Sequence, residues 1–273
     1  NLFGSLPRGI PLQLEAIRDR LSFHPMSVRL SHPVPPFHPK AEAMLPAIGG
    51  FPTSDRRLFL AGYSELCRVD LTDGHAVEIC GGAGKLAAAV AQAFPGAKVT
   101  GVDLYEPTGP EAEEWKRKLP NLQLIAGNAF DLSTFPEGSV DLIWGQAALH
   151  HLSHDPETLC REVARVLKPG GRLVFVFEPM GHNLPAVAIR AVRMAMHELP
   201  DESNLYLSQF ERMASSFSSC EVQMFNLLGY PVKALSDRFS GICDLVQELD
   251  SRLFGICPRL LRYGANANVV FTK

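Results

Sequence analysis

AVEICGGAGKLAAAVAQAFPGAKVTGVD, residues 76–103, reads as a strand, a glycine-rich turn, a helix, a second strand and a closing acidic residue. The apolar run 76–79 holds one carboxylate, Glu78, and Gly81, Gly82 and Gly84 follow it. A tight turn there needs permissive backbone and room for a ligand to approach. Helix formers fill 85–94, Pro95-Gly96 stops that helix, and 98–102 forms a second strand with Asp103 at its carboxyl end. In a parallel sheet this places an acidic side chain beside the glycine turn, where it can accept hydrogen bonds from ribose hydroxyls. The stretch therefore predicts a site for an adenine nucleoside cofactor.

Two cofactor classes fit a glycine turn with a downstream Asp: dinucleotides and S-adenosylmethionine. A dinucleotide site carries G-x-G-x-x-G with the pyrophosphate on the helix N-terminus, and here the third glycine of that pattern falls on Lys85. Glu78, just before the turn, repels a pyrophosphate but suits a cationic amino group, such as the ammonium of the methionine part of S-adenosylmethionine. The local reading favours S-adenosylmethionine without deciding the matter.

More of the chain bears on the choice. Gly127-Asn128-Ala129-Phe130 follows a third strand over 122–125, and the runs 135–144 (FPEGSVDLIW), 148–152 (ALHHL) and 167–173 (LKPGGRL) come after it. In this order and spacing they resemble class I S-adenosylmethionine-dependent methyltransferases, in the branch with ubiquinone/menaquinone-type and small-molecule natural-product enzymes. The resemblance covers 71–180 well, the C-terminal part loosely and the first 70 residues hardly at all. It implies an α/β, Rossmann-like, seven-stranded, mostly parallel sheet with its last strand antiparallel and helices on both faces.

The resemblance also assigns roles. Glu78 meets the cofactor's amino group, Gly82 and Gly84 shape the turn, Asp103 pairs with the ribose, and Leu104 covers one face of the adenine. Cys80 departs from the family, which usually has glycine there, and its side chain either points away from the cofactor or narrows the pocket around the methionine part. Asn128 stands where Asp is common, and its amide oxygen can still accept from the adenine amino group. Ala129 and Phe130 flank the ring, and Gln146 faces the sulfonium side. His150 and His151 are candidate general bases, since an imidazole can take the proton of an attacking hydroxyl or amine. Glu178 ends the fifth strand and is a candidate to orient a base or neutralise a cationic substrate, and His182 is a further base candidate. His150 and His154 have the i, i+4 spacing of a metal pair but no third ligand nearby, so no metal is expected.

Composition bounds the rest. A 273-residue chain with 46% hydrophobic and 20% charged residues suits one large domain, or one domain with a decorated edge. The net charge of −3 and pI near 6.3 give no electrostatic footprint for nucleic acid. No 18-residue apolar span points to a membrane helix. Cys67, Cys80, Cys160, Cys220, Cys243 and Cys257 are scattered without a C-x-x-C pair, which suits a reducing, cytoplasmic setting.

Residues 1–70 are expected to form a helical N-terminal extension or cap, with helices over 11–23 and 54–67 around a proline-rich stretch, and to offer a surface for a homodimer. Residues 71–273 form the cofactor domain. Strands are expected near 76–80, 98–102, 122–125, 140–145, 172–177, 221–227 and 267–272. A helix begins at Asp155-Pro156, and a lid insertion spans about 180–218 with helices over 184–199 and 207–217, where Met194, Met196, Phe210, Met213 and Phe217 read equally as lid or core. The expected activity is methyl transfer to an O, N or C atom of a small, partly apolar molecule in secondary metabolism. The alternatives are a non-methylating reaction on the same fold and a non-catalytic partner subunit.

Overall fold

A computed structural model describes residues 28–48, 55–197, 203–232 and 240–273. Eight strands form one sheet: β1 Val28–Ser31, β2 His75–Ile79, β3 Lys98–Asp103, β4 Leu122–Ala126, β5 Val140–Gln146, β6 Leu167–Pro179, β7 Ser219–Phe225 and β8 Asn266–Thr272. Their order is β1-β7-β8-β6-β5-β2-β3-β4, with β8 antiparallel to both neighbours and every other pair parallel. The helices are α1 Pro39–Met44, α2 Arg56–Cys67, α3 Lys85–Ala93, α4 Pro110–Lys118, α5 Leu149–Leu152, α6 Pro156–Val166, α7 Leu184–His197, α8 Leu207–Ala214, α9 Gly229–Val232 and α10 Ser240–Ile256.

Both faces of the central strands are buried, as a parallel sheet requires. Val77, Ile79, Ile143, Leu173 and Phe175 face one core with α6 and α8. Ala76, Leu142, Trp144, Val174 and Val176 alternate onto the other, with α2 and α3. Glu78 shares the parity of Ala76 and so points to the α2/α3 side. Helix α6 starts as expected, with Asp155 accepting from the Thr158 N–H at 3.2 Å and Pro156 in its first turn.

One detail of the expected sheet, its strand count, is corrected. The sheet has eight strands among the described residues, because Val28–Ser31 pairs in parallel with the otherwise open edge of β7, Val28 opposite Cys220 and Ser31 opposite Gln223. Residues 28–48 and 55–70 supply that edge strand and two helices, with Phe59, Tyr63 and Leu66 in one buried cluster with Trp144, Val174 and Val176. The expected helix over 11–23 lies outside the described residues. In the region expected to form a lid, Phe210 and Met213 are core, whereas Met196 is 74% exposed on α7.

Candidate active site

The chain reverses direction across the sheet between β2 and β5, the place where open α/β sheets bind ligands at their strand carboxyl ends. A cavity of about 250 Å³ opens there, lined by Glu78, Cys80, Gly81, Gly82, Ala83, Lys85, Leu86 and Gln146. Strain collects around it. Cys80 after β2, Ala147 after β5 and Phe177 near the end of β6 all have positive φ (55°, 49° and 66°), a conformation that non-glycine residues hold only where the surroundings enforce it.

The glycine turn is built as the sequence indicates. Gly82 and Gly84 have φ of +53° and +78°, and the Gly82 N–H donates to Asp103 Oδ2 at 2.8 Å, tying the turn to the end of β3. Gly81 must lack a side chain because a Cβ there would lie 2.9 Å from Glu78 Oε2. Glu78 is 2% exposed and accepts from the Ala87 N–H at 3.0 Å and the Trp144 indole N–H at 3.2 Å. Burial, opposed by these two bonds and reinforced by Asp103, pushes its carboxyl up to about 8. A cation entering the cavity would favour its ionised form.

Glu178 is the second buried carboxylate, 0% exposed. The register of β6 on β8 shifts between Phe175 and Glu178, with Phe177 as the left-handed residue. Asn268 holds this irregularity, accepting from the Phe177 N–H at 3.1 Å and donating to the Leu58 carbonyl at 2.8 Å. Glu178 then meets the start of α5: Oε1 accepts from the Ala148 and Leu149 N–H groups at 2.8 and 2.9 Å, and Oε2 from the His150 N–H at 3.2 Å. His150 Nδ1 lies 2.8 Å from Oε2. That contact selects the tautomer with hydrogen on Nδ1 and leaves Nε2 as the basic nitrogen.

The other expected site residues fall around these two centres. Leu104 is 66% exposed beyond Asp103, an open apolar surface beside the turn. Asn128 Oδ1, assigned by resemblance to an adenine amino group, accepts from the Phe130 N–H at 3.0 Å in a local turn and has one lone pair left. Ala129 is buried in the core, and Phe130 packs edge-on against His154 at 4.9 Å. His151 is exposed, its ring 4.0 Å from that of His150. His182 is buried against Tyr206.

Cys80 sits among Asp103, Glu178 and Glu78. Burial first and those charges next push its thiol up to about 12, which removes it as a nucleophile near neutral pH. Among the described residues no group of three or more His, Cys, Asp or Glu side chains could hold a metal, and no helix is long and apolar enough to cross a membrane. Sequence reasoning missed Trp144 as a donor to Glu78, and it missed Tyr63 of α2, whose hydroxyl donates to Gln146 Oε1 at 2.5 Å. The aromatic in a "strand" position was visible for Trp144; nothing local marks Tyr63.

A family profile described as a methyltransferase domain matches residues 77–175. The phthiotriol/phenolphthiotriol dimycocerosates methyltransferase of Mycobacterium leprae is 34% identical over 108 residues, 40% of this chain and 39% of that protein. The demethylmenaquinone methyltransferase of Symbiobacterium thermophilum is 36% identical over 104 residues, 37% of this chain and 41% of that protein. The matches thus span about two fifths of the length of these relatives. A phosphoethanolamine N-methyltransferase 2 of Haemonchus contortus, solved with phosphomonomethylethanolamine and S-adenosylhomocysteine, shares the fold at a TM-score of 0.50. It is 22% identical, over 77% of this chain and 51% of that one. Residues 77–175 are thus a methyltransferase domain by sequence match, and the sheet order and the switch-point cavity beside the β2 turn are those of the S-adenosylmethionine-dependent methyltransferase fold.

Proposed function

We propose that this protein transfers a methyl group from S-adenosylmethionine to an oxygen, nitrogen or carbon atom of a small, partly apolar molecule, with His150 as general base and Glu178 holding it in position. The observation that carries the reading is the pairing of a switch-point cavity lined by Glu78 and the glycine turn with the bonded His150–Glu178 pair two strands away.

The residues fit the cofactor: Glu78 would accept from its ammonium and Asp103 from its ribose hydroxyls, on either side of the glycine turn that lines the cavity. When bound, S-adenosylmethionine supplies a methyl group already activated on a sulfonium. The protein's share is alignment of the acceptor at near-attack distance and, for a hydroxyl acceptor, removal of its proton. His150 Nε2 takes that proton, and Glu178 stabilises the imidazolium through Nδ1. His151 is the exposed neighbour that can contact the acceptor.

Secondary metabolism is the setting we favour. The acceptors in the names of two relatives, phthiotriol/phenolphthiotriol dimycocerosates and demethylmenaquinone, agree with an acceptor of largely apolar character. A cytoplasmic location and a homodimer through residues 1–70 belong to the same reading.

The test is mass spectrometry of phenol, alcohol, amine and acidic-carbon acceptors incubated with the protein and S-adenosylmethionine, alongside an Asp103→Ala control. A gain of one methyl, lost in the control, supports the reading. Tight S-adenosylhomocysteine binding with no methyl gain on any acceptor transfers it to the non-methylating alternative, and no binding at all to the partner-subunit alternative.

A further inference from the structure

Every residue that lines the cavity lies within 77–175, but one of them, Gln146, is held by a side chain from outside that segment. Helix α2 lies before residue 77, the first residue of the family match, and it packs directly on β6. Gly62 permits this: a Cβ there would stand 2.7 Å from Val176 Cγ1 and 2.8 Å from Cγ2. The close approach drives the next side chain, Tyr63, into the sheet, where it is 0% exposed. Its hydroxyl reaches across 83 residues of sequence to Gln146 Oε1 at 2.5 Å. Gln146 ends β5 and lines the cavity together with Glu78 and Cys80.

The chemistry of this contact has a direction. Burial, and next the charge of Glu78, push Tyr63 ionisation up, so the hydroxyl stays protonated and donates. A glutamine amide whose oxygen is held by a buried donor turns its other end, the Nε2 hydrogens, elsewhere. Around it the cavity is rich in carboxyl oxygens, with Glu78 on its wall and Asp103 and Glu178 near Cys80. A ligand that carries both an ammonium and a carboxylate finds acceptors for the first easily. For the second it needs N–H donors.

We propose that Tyr63 is a positioning residue: it fixes the amide of Gln146 so that Nε2 donates to the carboxylate of the cofactor's amino-acid end, opposite the Glu78 acceptor for its ammonium. This deepens the cofactor reading above and rests on it. Residues before the family segment thereby set how the amino-acid half of the cofactor is held, while Asp103 holds the nucleoside half independently.

The experiment is calorimetric titration of wild type, Tyr63→Phe and Gln146→Glu with two ligands, S-adenosylhomocysteine and 5′-methylthioadenosine, which lacks the amino-acid end. Tyr63→Phe keeps the buried ring and removes only the hydroxyl. It is expected to weaken S-adenosylhomocysteine binding about tenfold, as for a weakened hydrogen bond to a charged group, and to leave 5′-methylthioadenosine unchanged. Gln146→Glu places a carboxylate against a carboxylate and is expected to weaken S-adenosylhomocysteine by more than about tenfold with the same selectivity.

Equal weakening of both ligands by Tyr63→Phe would reduce Tyr63 to a structural role and overturn the proposal, as would no change in either. Tighter S-adenosylhomocysteine binding by Gln146→Glu would show the amide oxygen facing the ammonium and overturn it too. Wild type binding neither ligand would instead bring down the cofactor reading, and this proposal with it.

Discussion

Two carboxylates stand at the carboxyl ends of the strands that flank β5, Glu78 on β2 and Glu178 on β6, and both are almost fully buried. Their surroundings differ. Glu78 has one backbone and one indole N–H as donors, too few to offset lost hydration, and its carboxyl rises to about 8. Glu178 collects three backbone N–H groups at the start of α5 and the imidazole of His150. Burial alone therefore does not set the role of an acidic group; the supply of donors does. Glu78 is an acceptor with capacity left for a ligand's cation. Glu178 spends its acceptor capacity on the protein itself and holds the His150 imidazole.

The contrast can be broken at four places. The largest effect is expected from His150→Ala: methyl transfer to a hydroxyl acceptor should fall by about 10²–10⁴ while calorimetric affinity for S-adenosylhomocysteine stays near wild type. If affinity collapses with the rate, the base side and the cofactor side are not separate.

Glu178→Gln comes next. Its amide would turn an N–H toward backbone donors, and unfolding in urea should show a loss of about 2–4 kcal/mol. A loss below about 0.5 kcal/mol would mean the α5 start does not depend on this side chain.

Glu78→Gln should behave oppositely. With a folded pKa of about 8 against an ordinary 4.5, folded wild type keeps a proton that the unfolded chain releases between those values. Wild-type stability therefore falls as pH rises through that window and levels off above about 8. Glutamine has no such proton, so the variant should gain on wild type across the window, by on the order of 1–3 kcal/mol at its upper end. In wild type, S-adenosylhomocysteine affinity should strengthen with pH up to the same point, because the ammonium needs the ionised carboxylate. Parallel stability curves for variant and wild type would sink this account of Glu78.

The smallest effects sharpen the turn. Gly84→Ala should cost about 1–3 kcal/mol, since φ is +78° and the Cβ would also meet Leu124 Cδ2 at 2.9 Å. Gly82→Ala meets nothing within 4 Å at φ +53° and should cost about 1 kcal/mol. Thermal melts of the pair separate strain from collision.

The cofactor side was more legible in the sequence than the base side. Strand, turn, helix and strand over 76–103 carry their signals in neighbouring residues: alternating apolar positions, glycines where φ is positive, and Pro95-Gly96 behind α3. Asp155 and Pro156 announced α6 in the same way. Val28–Ser31 gave no comparable signal. Four residues become a strand only because β7 offers an open edge. Glu178 could be nominated from its place after the fifth strand, but its bond to His150 depends on a bulge at Phe177 that Asn268, 91 residues away, supports.

The sequence by itself determined the sheet class, the cofactor turn and the two acidic residues beside it, because those features rest on backbone preferences within a few residues of one another. Tertiary structure alone decided that residues 28–48 and 55–70 belong to the same core, that Trp144 and Ala87 satisfy Glu78, and that Tyr63 meets Gln146. These contacts join segments whose separation in the chain carries no local signal. They form only when burying apolar faces on both sides of the sheet forces particular side chains together.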